Sequence, residues 1–225
     1  MKLSYVHLYS SCFSTSQTTE ISNQLQKIFP FIKIDLRSSG DYFSKSSIPA
    51  DLGGKFVTQL PKDVVQQAEL QNSSSEVDKT IIFIDGFFFQ RIYTNIIDKN
   101  EIHLEHAHII FEDKLVCTFD EKDRRFHARP IICGSPTIIS IPSIVEGPAK
   151  PKAYYFKQMM KDLLSKNSKE IDNEFINRYV SYGDSRMPQV VTGYAIQAVF
   201  FFLRMVTPSV QIILADCSIP IGRRS

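Results

Sequence analysis

Hydrophobic and polar positions alternate along residues 3–9, and this stretch reads as a first strand. Ser14, Thr15 and Ser16 then offer caps to a helix running to about Phe29, with Ile21, Leu25 and Ile28 on one face. Pro30 closes that helix, and residues 31–36 alternate again as a second strand, which completes a β-α-β opening. Residues 37–55, rich in Ser and Gly, predict a loop or partly helical insertion. A short helix is predicted over 62–70 and a polar surface loop over 71–75. Residues 80–84 are continuously apolar and β-branched, as in a buried strand.

From His106 to Ile141 the pattern changes to successive strands. Residues 106–111 and 115–119 flank Glu112-Asp113-Lys114 as an expected hairpin, and strands over 126–132 and 137–141 follow. Helices are predicted over about 151–165, 170–181 and 187–205. In the last, Gln189, Gly193, Gln197 and Phe201 fall on one side, while Val190, Tyr194, Ile196, Val199 and Leu203 face a core. The expected architecture is α/β to α+β: a mixed sheet with an N-terminal β-α-β unit, a hairpin-rich middle and a helical C-terminal third. The chain reads as one domain over 1–225.

Composition narrows the function classes. Over 225 residues, 43% are hydrophobic and 22% charged, which excludes a disordered or coiled-coil chain. With 26 basic against 24 acidic side chains, the formal charge of +2 gives no nucleic-acid footprint. The longest apolar stretch, Ala195–Val206, is interrupted by Gln197 and Arg204 and is far shorter than the roughly 20 residues a spanning helix needs. The N-terminus has no signal-peptide pattern. Four scattered cysteines without a CxxC spacing fit a reducing compartment, so a cytoplasmic protein with no membrane contact is expected.

Three clusters could carry chemistry. His103-Leu104-Glu105-His106-Ala107-His108 holds three of the five histidines. On a strand His106 and His108 share a face, and on a helix His103 and His106 are neighbours. Either geometry supplies two metal ligands, with His127 or a carboxylate as the third. The spacing is not HExxH, and a polar strand edge with solvated histidines is the commoner occupant of such a pattern. In Arg125-Phe126-His127-Ala128-Arg129 the alternate residues form a row suited to a carboxylate or phosphate, or else pair with Asp120, Glu121 or Asp123. The run Ser143–Lys152 reads as a rigid, extended connector. Glu146 there follows an apolar strand end, where a carboxylate can serve as a general base.

The segments Arg125–Arg129, Gly134-Ser135-Pro136-Thr137-Ile138-Ile139-Ser140, Ile144-Val145-Glu146-Gly147-Pro148-Ala149-Lys150-Pro151 and Gly193–Phe200 resemble a largely uncharacterised archaeal family described as metallopeptidases. The resemblance covers most of the chain to about Leu203. Its family continues into a Cys- and His-containing tail with a tryptophan, whereas this chain has no tryptophan and offers Cys217 in a divergent tail. The resemblance implies a metal-dependent hydrolase, peptidase-like, with zinc as the cofactor and a site that the divergent tail leaves incomplete. His127 and Glu146 lead as metal ligand and catalytic base, and His103, His106 and His108 are further ligand candidates. The alternative is a non-catalytic binding module in which Arg125, Arg129 and Lys150, with His127, hold a peptide, a small anionic ligand or a protein partner. Oligomeric state is not legible.

Overall fold

The computed structural model describes residues 2–10, 12–38, 83–148, 150–161, 163–165, 167–175 and 178–206. The expected helix over 62–70, the loop over 71–75, most of the loop over 37–55 and the tail with Cys217 lie outside the described residues. The expected β-α-β opening is present: β1 (Tyr5–Ser10), α1 (Thr15–Ile28) and β2 (Lys33–Ser38). Ser14 and Gln17 form a reciprocal capping box at the start of α1, which satisfies two otherwise unpaired N–H groups. The chain continues through β3 (Phe83–Asp85), α2 (Gly86–Ile96), a 3-10 turn (Lys99–Glu101), β4 (His106–Glu112), β5 (Leu115–Asp120), β6 (Arg125–Ala128), β7 (Ile131–Ile132) and β8 (Thr137–Ser140). Four helices close it: α3 (Ile141–Glu146), α4 (Lys152–Met159), α5 (Ser168–Phe175) and α6 (Met187–Val206).

Two sheets form. The larger has the order β2-β1-β4-β8-β7, with its first four strands parallel and β7 antiparallel to β8. The smaller has the order β3-β5-β6. One face of the large sheet (Val6, Leu8, Ala107, Ile109, Phe111, Ile139) packs with Ile21 and Leu25 of α1 and Val191, Ala195, Ala198, Val199 and Phe202 of α6. On the opposite face, Tyr9, Ile110 and Ile138 pack against Phe89 and Tyr93 of α2 and Ile84 and Val116 of the small sheet. The buried stripe of α6 is therefore rotated from the expected one. Val199 is shared, but Val190, Tyr194, Ile196 and Leu203 sit at its half-buried margin. No described helix is long and apolar enough to cross a membrane.

The expected hairpin between residues 106–111 and 115–119 does not form. Both strands exist, but β4 is paired on both sides by parallel β1 and β8, which leaves β5 no edge to join. Buried Glu112 accepts hydrogen bonds from the backbone N–H groups of Asp113 (3.0 Å) and Lys114 (3.3 Å) and from Tyr93 Oη (2.6 Å), and so turns the chain into the second layer. The expected strand over 126–132 is split. Pro130 lacks the donor a ladder needs, and β6 and β7 belong to different sheets. The expected extended connector around Glu146 is also corrected, because Ile141–Glu146 is helical. Ser140 caps it by accepting from Ser143 N, and Pro142 lies in the first turn, where no N–H is missed. The helices expected over 151–165 and 170–181 are shorter, and Ser165 at φ 51° breaks the first.

Ser143 ties α3 to the small sheet. Its hydroxyl accepts from Val116 N (3.0 Å) and donates to Val116 O (2.9 Å), both fully inside the protein. Val116 O also accepts from Arg129 N (2.8 Å) and Val116 N lies 3.4 Å from Ser140 Oγ, so losing the Ser143 hydroxyl weakens these groups without orphaning them and costs about 1 kcal/mol. Ser143→Ala is expected to lower the urea midpoint accordingly, and an unchanged midpoint would show that water replaces the hydroxyl.

Candidate metal centre

The parallel registers of β1 with β2 and β4 align Asp35 with His7 and His7 with His108, while Tyr5 aligns with Lys33 and His106. Because strand side chains alternate, alternate residues of three strands project from one face as a patch of imidazoles, phenols and charges. The rings form a continuous stack. Tyr5 and His106 centroids are 4.6 Å apart, His7 and His106 5.1 Å, and His7 and His108 4.8 Å. The interior position of β4 buries His108 beside His7, whereas His106 is half-buried and His103 is exposed. His7 is 3% exposed and His108 1%.

The hydrogen bonds settle the tautomers by donor and acceptor chemistry. His108 Nε2 lies 3.0 Å from the carbonyl of Glu101 and must donate to it. Its Nδ1 then accepts from Tyr9 Oη at 2.9 Å, and Tyr9 Oη accepts from Arg37 at 2.9 Å. His7 Nδ1 donates to Asp35 Oδ2 at 3.1 Å, which leaves the Nε2 lone pair facing His106 Nδ1 at 2.8 Å. Arg37 binds both carboxylate oxygens of Glu101 (2.6 and 2.7 Å) and reaches Asp35 (2.6 Å) with its Nε. The 3-10 turn, capped by Asp98, delivers Glu101 to this point.

Charge follows from these contacts. Hydrogen bonding to Arg37 outweighs burial and holds the Glu101 carboxyl at about 2. At Asp35 burial opposes ionisation, but the bonds from Arg37 and His7 prevail and hold it below the usual range. Burial pushes His108 down to about 4, the backbone bond from Glu101 offsetting only part of that. Burial also lowers His7, against the pull of Asp35, and burial with His103 lowers His106. Near neutrality the group thus holds neutral imidazoles and ionised carboxylates, the protonation states in which these side chains bind metal.

One ligand atom from each of His7, Glu101 and His106 lies within 4.8 Å of the others. Two imidazoles and one carboxylate form a donor set typical of catalytic zinc. The Asp35–His7 bond is the outer-layer contact that orients metal-ligating histidines. The Arg37 fork leaves further lone pairs on Glu101. The residues fit a divalent ion.

The predicted residues divide among several places. His106 joins His7 and Glu101, and His103 stands beside His106 with ring centroids 4.6 Å apart. Both nitrogens of His108 already have partners. His127 lies on β6 in the other sheet and donates to Asp123 at 2.7 Å. With Asp120 and Asp123 it forms a second, more exposed group that could hold a metal. Glu146 ends α3 at the surface and accepts from the Tyr182 hydroxyl. Arg125 is exposed on β6, and Arg129 just beyond it donates to Thr118 Oγ1 at 2.8 Å. Lys150 lies over the rings of Tyr154 and Tyr179 (4.5 and 4.8 Å), apart from that row in the smaller aromatic cluster. Sequence reasoning missed His7, Asp35, Arg37 and Glu101. The one available signal was that Tyr5-His7-Tyr9 repeats the two-residue period of His106 and His108.

A family model decides the relationship. The chain belongs to DUF6775, described as a probable metallopeptidase family, whose model matches residues 2–209. All of the residues of the histidine patch fall within the matched DUF6775 region. No curated protein and no solved structure matches the chain.

The depressed histidines have a consequence for stability. Their folded pKa values lie below the unfolded value of about 6.5, so between pH 6.5 and 4 the unfolded chain binds more protons and stability is lost as pH falls. His108 alone contributes on the order of 3 kcal/mol. The metal-free protein is expected to show a lower urea midpoint at pH 5 than at pH 7, and an equal or higher midpoint would contradict neutral burial of the patch.

Proposed function

We propose that this chain is a metal-dependent hydrolase acting on peptide bonds, with a zinc ion held by His7, His106 and Glu101. The observation that carries this reading is the Nε2 lone pair of His7, oriented by Asp35 and facing His106 Nδ1 at 2.8 Å beside an ionised Glu101. Membership of a family described as probable metallopeptidases supports the same class of reaction.

In this reading His7 and His106 supply neutral nitrogen ligands, and Glu101 supplies the anionic one. Asp35 keeps the proton on His7 Nδ1, so that Nε2 stays a ligand atom. His106 presents Nδ1 once its proton moves to Nε2. Arg37 holds Glu101 and Asp35 in place and balances their charge. His108 and Tyr9 brace Arg37 from below. A zinc ion bound there would lower the pKa of a coordinated water towards about 7 and polarise a substrate carbonyl. His103 stands exposed beside His106 at the rim of this group. The site requires neither His127 nor Glu146. The free thiols of Cys12 and Cys117 support a reducing, cytoplasmic setting.

Metal titration of the purified full chain tests the reading. One zinc equivalent is expected, with affinity lost in His7→Ala and His106→Ala, reduced about 10–100-fold in Asp35→Asn, and kept in His127→Ala. Peptide hydrolysis should follow the same order and stop with a chelator. Wild-type affinity in both His7→Ala and His106→Ala would reject the site, and loss in His127→Ala alone would move it to the β5–β6 hairpin. Metal bound as expected without peptide hydrolysis would leave the centre standing and reject the reaction.

A further inference from the structure

The segment that carries Glu101 has no apolar anchor. From Asp98 to Glu105 every residue except Glu101 is exposed, and the three-residue 3-10 turn buries none of its side chains. A glutamate on such a turn keeps its rotamer freedom unless polar contacts remove it, and any freedom left is lost at the moment a ligand atom binds. Here the contacts come from beneath. They are made by two fully buried side chains of the large sheet, Tyr9 on β1 and His108 on β4, together with Arg37 on β2.

These contacts close into a ring. His108 Nε2 donates to the Glu101 carbonyl (3.0 Å), and Tyr9 Oη donates to His108 Nδ1 (2.9 Å). Arg37 Nη1 donates both to Tyr9 Oη (2.9 Å) and to Glu101 Oε2 (2.6 Å), and its Nη2 donates to Glu101 Oε1 (2.7 Å). The ring thus leaves from the main chain of Glu101 and returns to its carboxylate, so one residue is held at both ends. Tyr9 Oη is the atom in it that both donates and accepts, as a phenol can. A phenylalanine would fill the same space but leave His108 Nδ1 without its donor. The Tyr9 ring packs with Ile84, Phe89, Tyr93 and Ile110, so the circuit is rooted in the core and not in the exposed turn. We propose that Tyr9 is a positioning residue for Glu101, holding its main chain through His108 and its carboxylate through Arg37, so that the metal ligand is set before the ion arrives. The inference rests on the metal centre proposed above and is independent of the reaction catalysed there. It gives His108, a ligand candidate in the sequence, the task of supporting a ligand.

Zinc titration of the full chain tests it, with Tyr9→Phe and Glu101→Gln made singly and together. Tyr9→Phe is expected to weaken zinc binding about tenfold in the wild-type background and to add nothing in the Glu101→Gln background. The visible absorption of the cobalt-loaded protein should also change in Tyr9→Phe. A loss of folding stability alone would move the urea midpoint of the zinc-free protein but not that spectrum. His108→Gln keeps a donor for the Glu101 carbonyl and lacks the Nδ1 acceptor, so it carries the same expectations if Tyr9→Phe does not fold. Wild-type affinity with an unchanged cobalt spectrum in Tyr9→Phe, or an equal loss of affinity in both backgrounds, would overturn the proposal. Where Glu101→Gln binds too little zinc to titrate, the cobalt spectrum decides. A wild type that takes up no zinc, or an undiminished affinity in Glu101→Gln, would instead reject Glu101 as a ligand and remove the ground on which this inference stands.

Discussion

The candidate centre depends on the in-register parallel pairing of β1 with β4. That ladder sets His7 opposite His108 and Tyr5 opposite His106, although the partners lie about a hundred positions apart in the chain. A slip of one residue would turn His7 and Tyr9 into the α1/α6 core and Val6 and Leu8 out of it, because side chains alternate with a period of two. The apolar face therefore enforces the polar one. Val6, Leu8, Ile109 and Phe111 lock the register by burial, and the histidines are aligned as a consequence.

Arg37 gives that alignment its electrostatic character. It stands on β2, one strand further out, and its guanidinium meets Asp35, Glu101 and Tyr9 together. A lysine could neutralise one of these groups but lacks the planar fork that holds both oxygens of Glu101. The result combines ionised carboxylates with imidazoles that burial keeps neutral, and no described side-chain polar atom in the interior is left without a partner. The centre is thus organised by protein contacts alone, with the lone pair on His7 set by Asp35.

The remainder of the architecture covers and extends this sheet. Glu112 ends β4 by capping the turn that follows it, and the chain leaves for a second layer instead of folding back. Gly86 allows that layer to approach closely, since a Cβ there would meet Ile132 Cδ1 at 1.8 Å. Ser140 and Ser143 then bind the backbone of Lys114 and Val116 (2.6–3.0 Å), and so join the two sheets through α3. The α4–α5 pair, with its own small aromatic cluster, contributes little to the main cores.

Local pattern carried much of this. The β-α-β opening, the Ser14 cap, the strands at 106–112 and 115–120 and the long final helix were legible because each depends on periodicity or capping within a few residues. The shared face of His106 and His108 was legible for the same reason. Sequence alone could not show which strands become neighbours, because pairing is decided by long-range burial. The short Glu112–Lys114 turn therefore looked like a hairpin when it is a passage between sheets. The strand at 126–132 looked continuous although Pro130 divides it between two ladders. His127 and Glu146, chosen from local motifs, lie on different elements from the histidine patch. His7, Asp35, Arg37 and Glu101 come from three separate stretches of chain and acquire a common chemistry only when β1, β2 and β4 stand side by side.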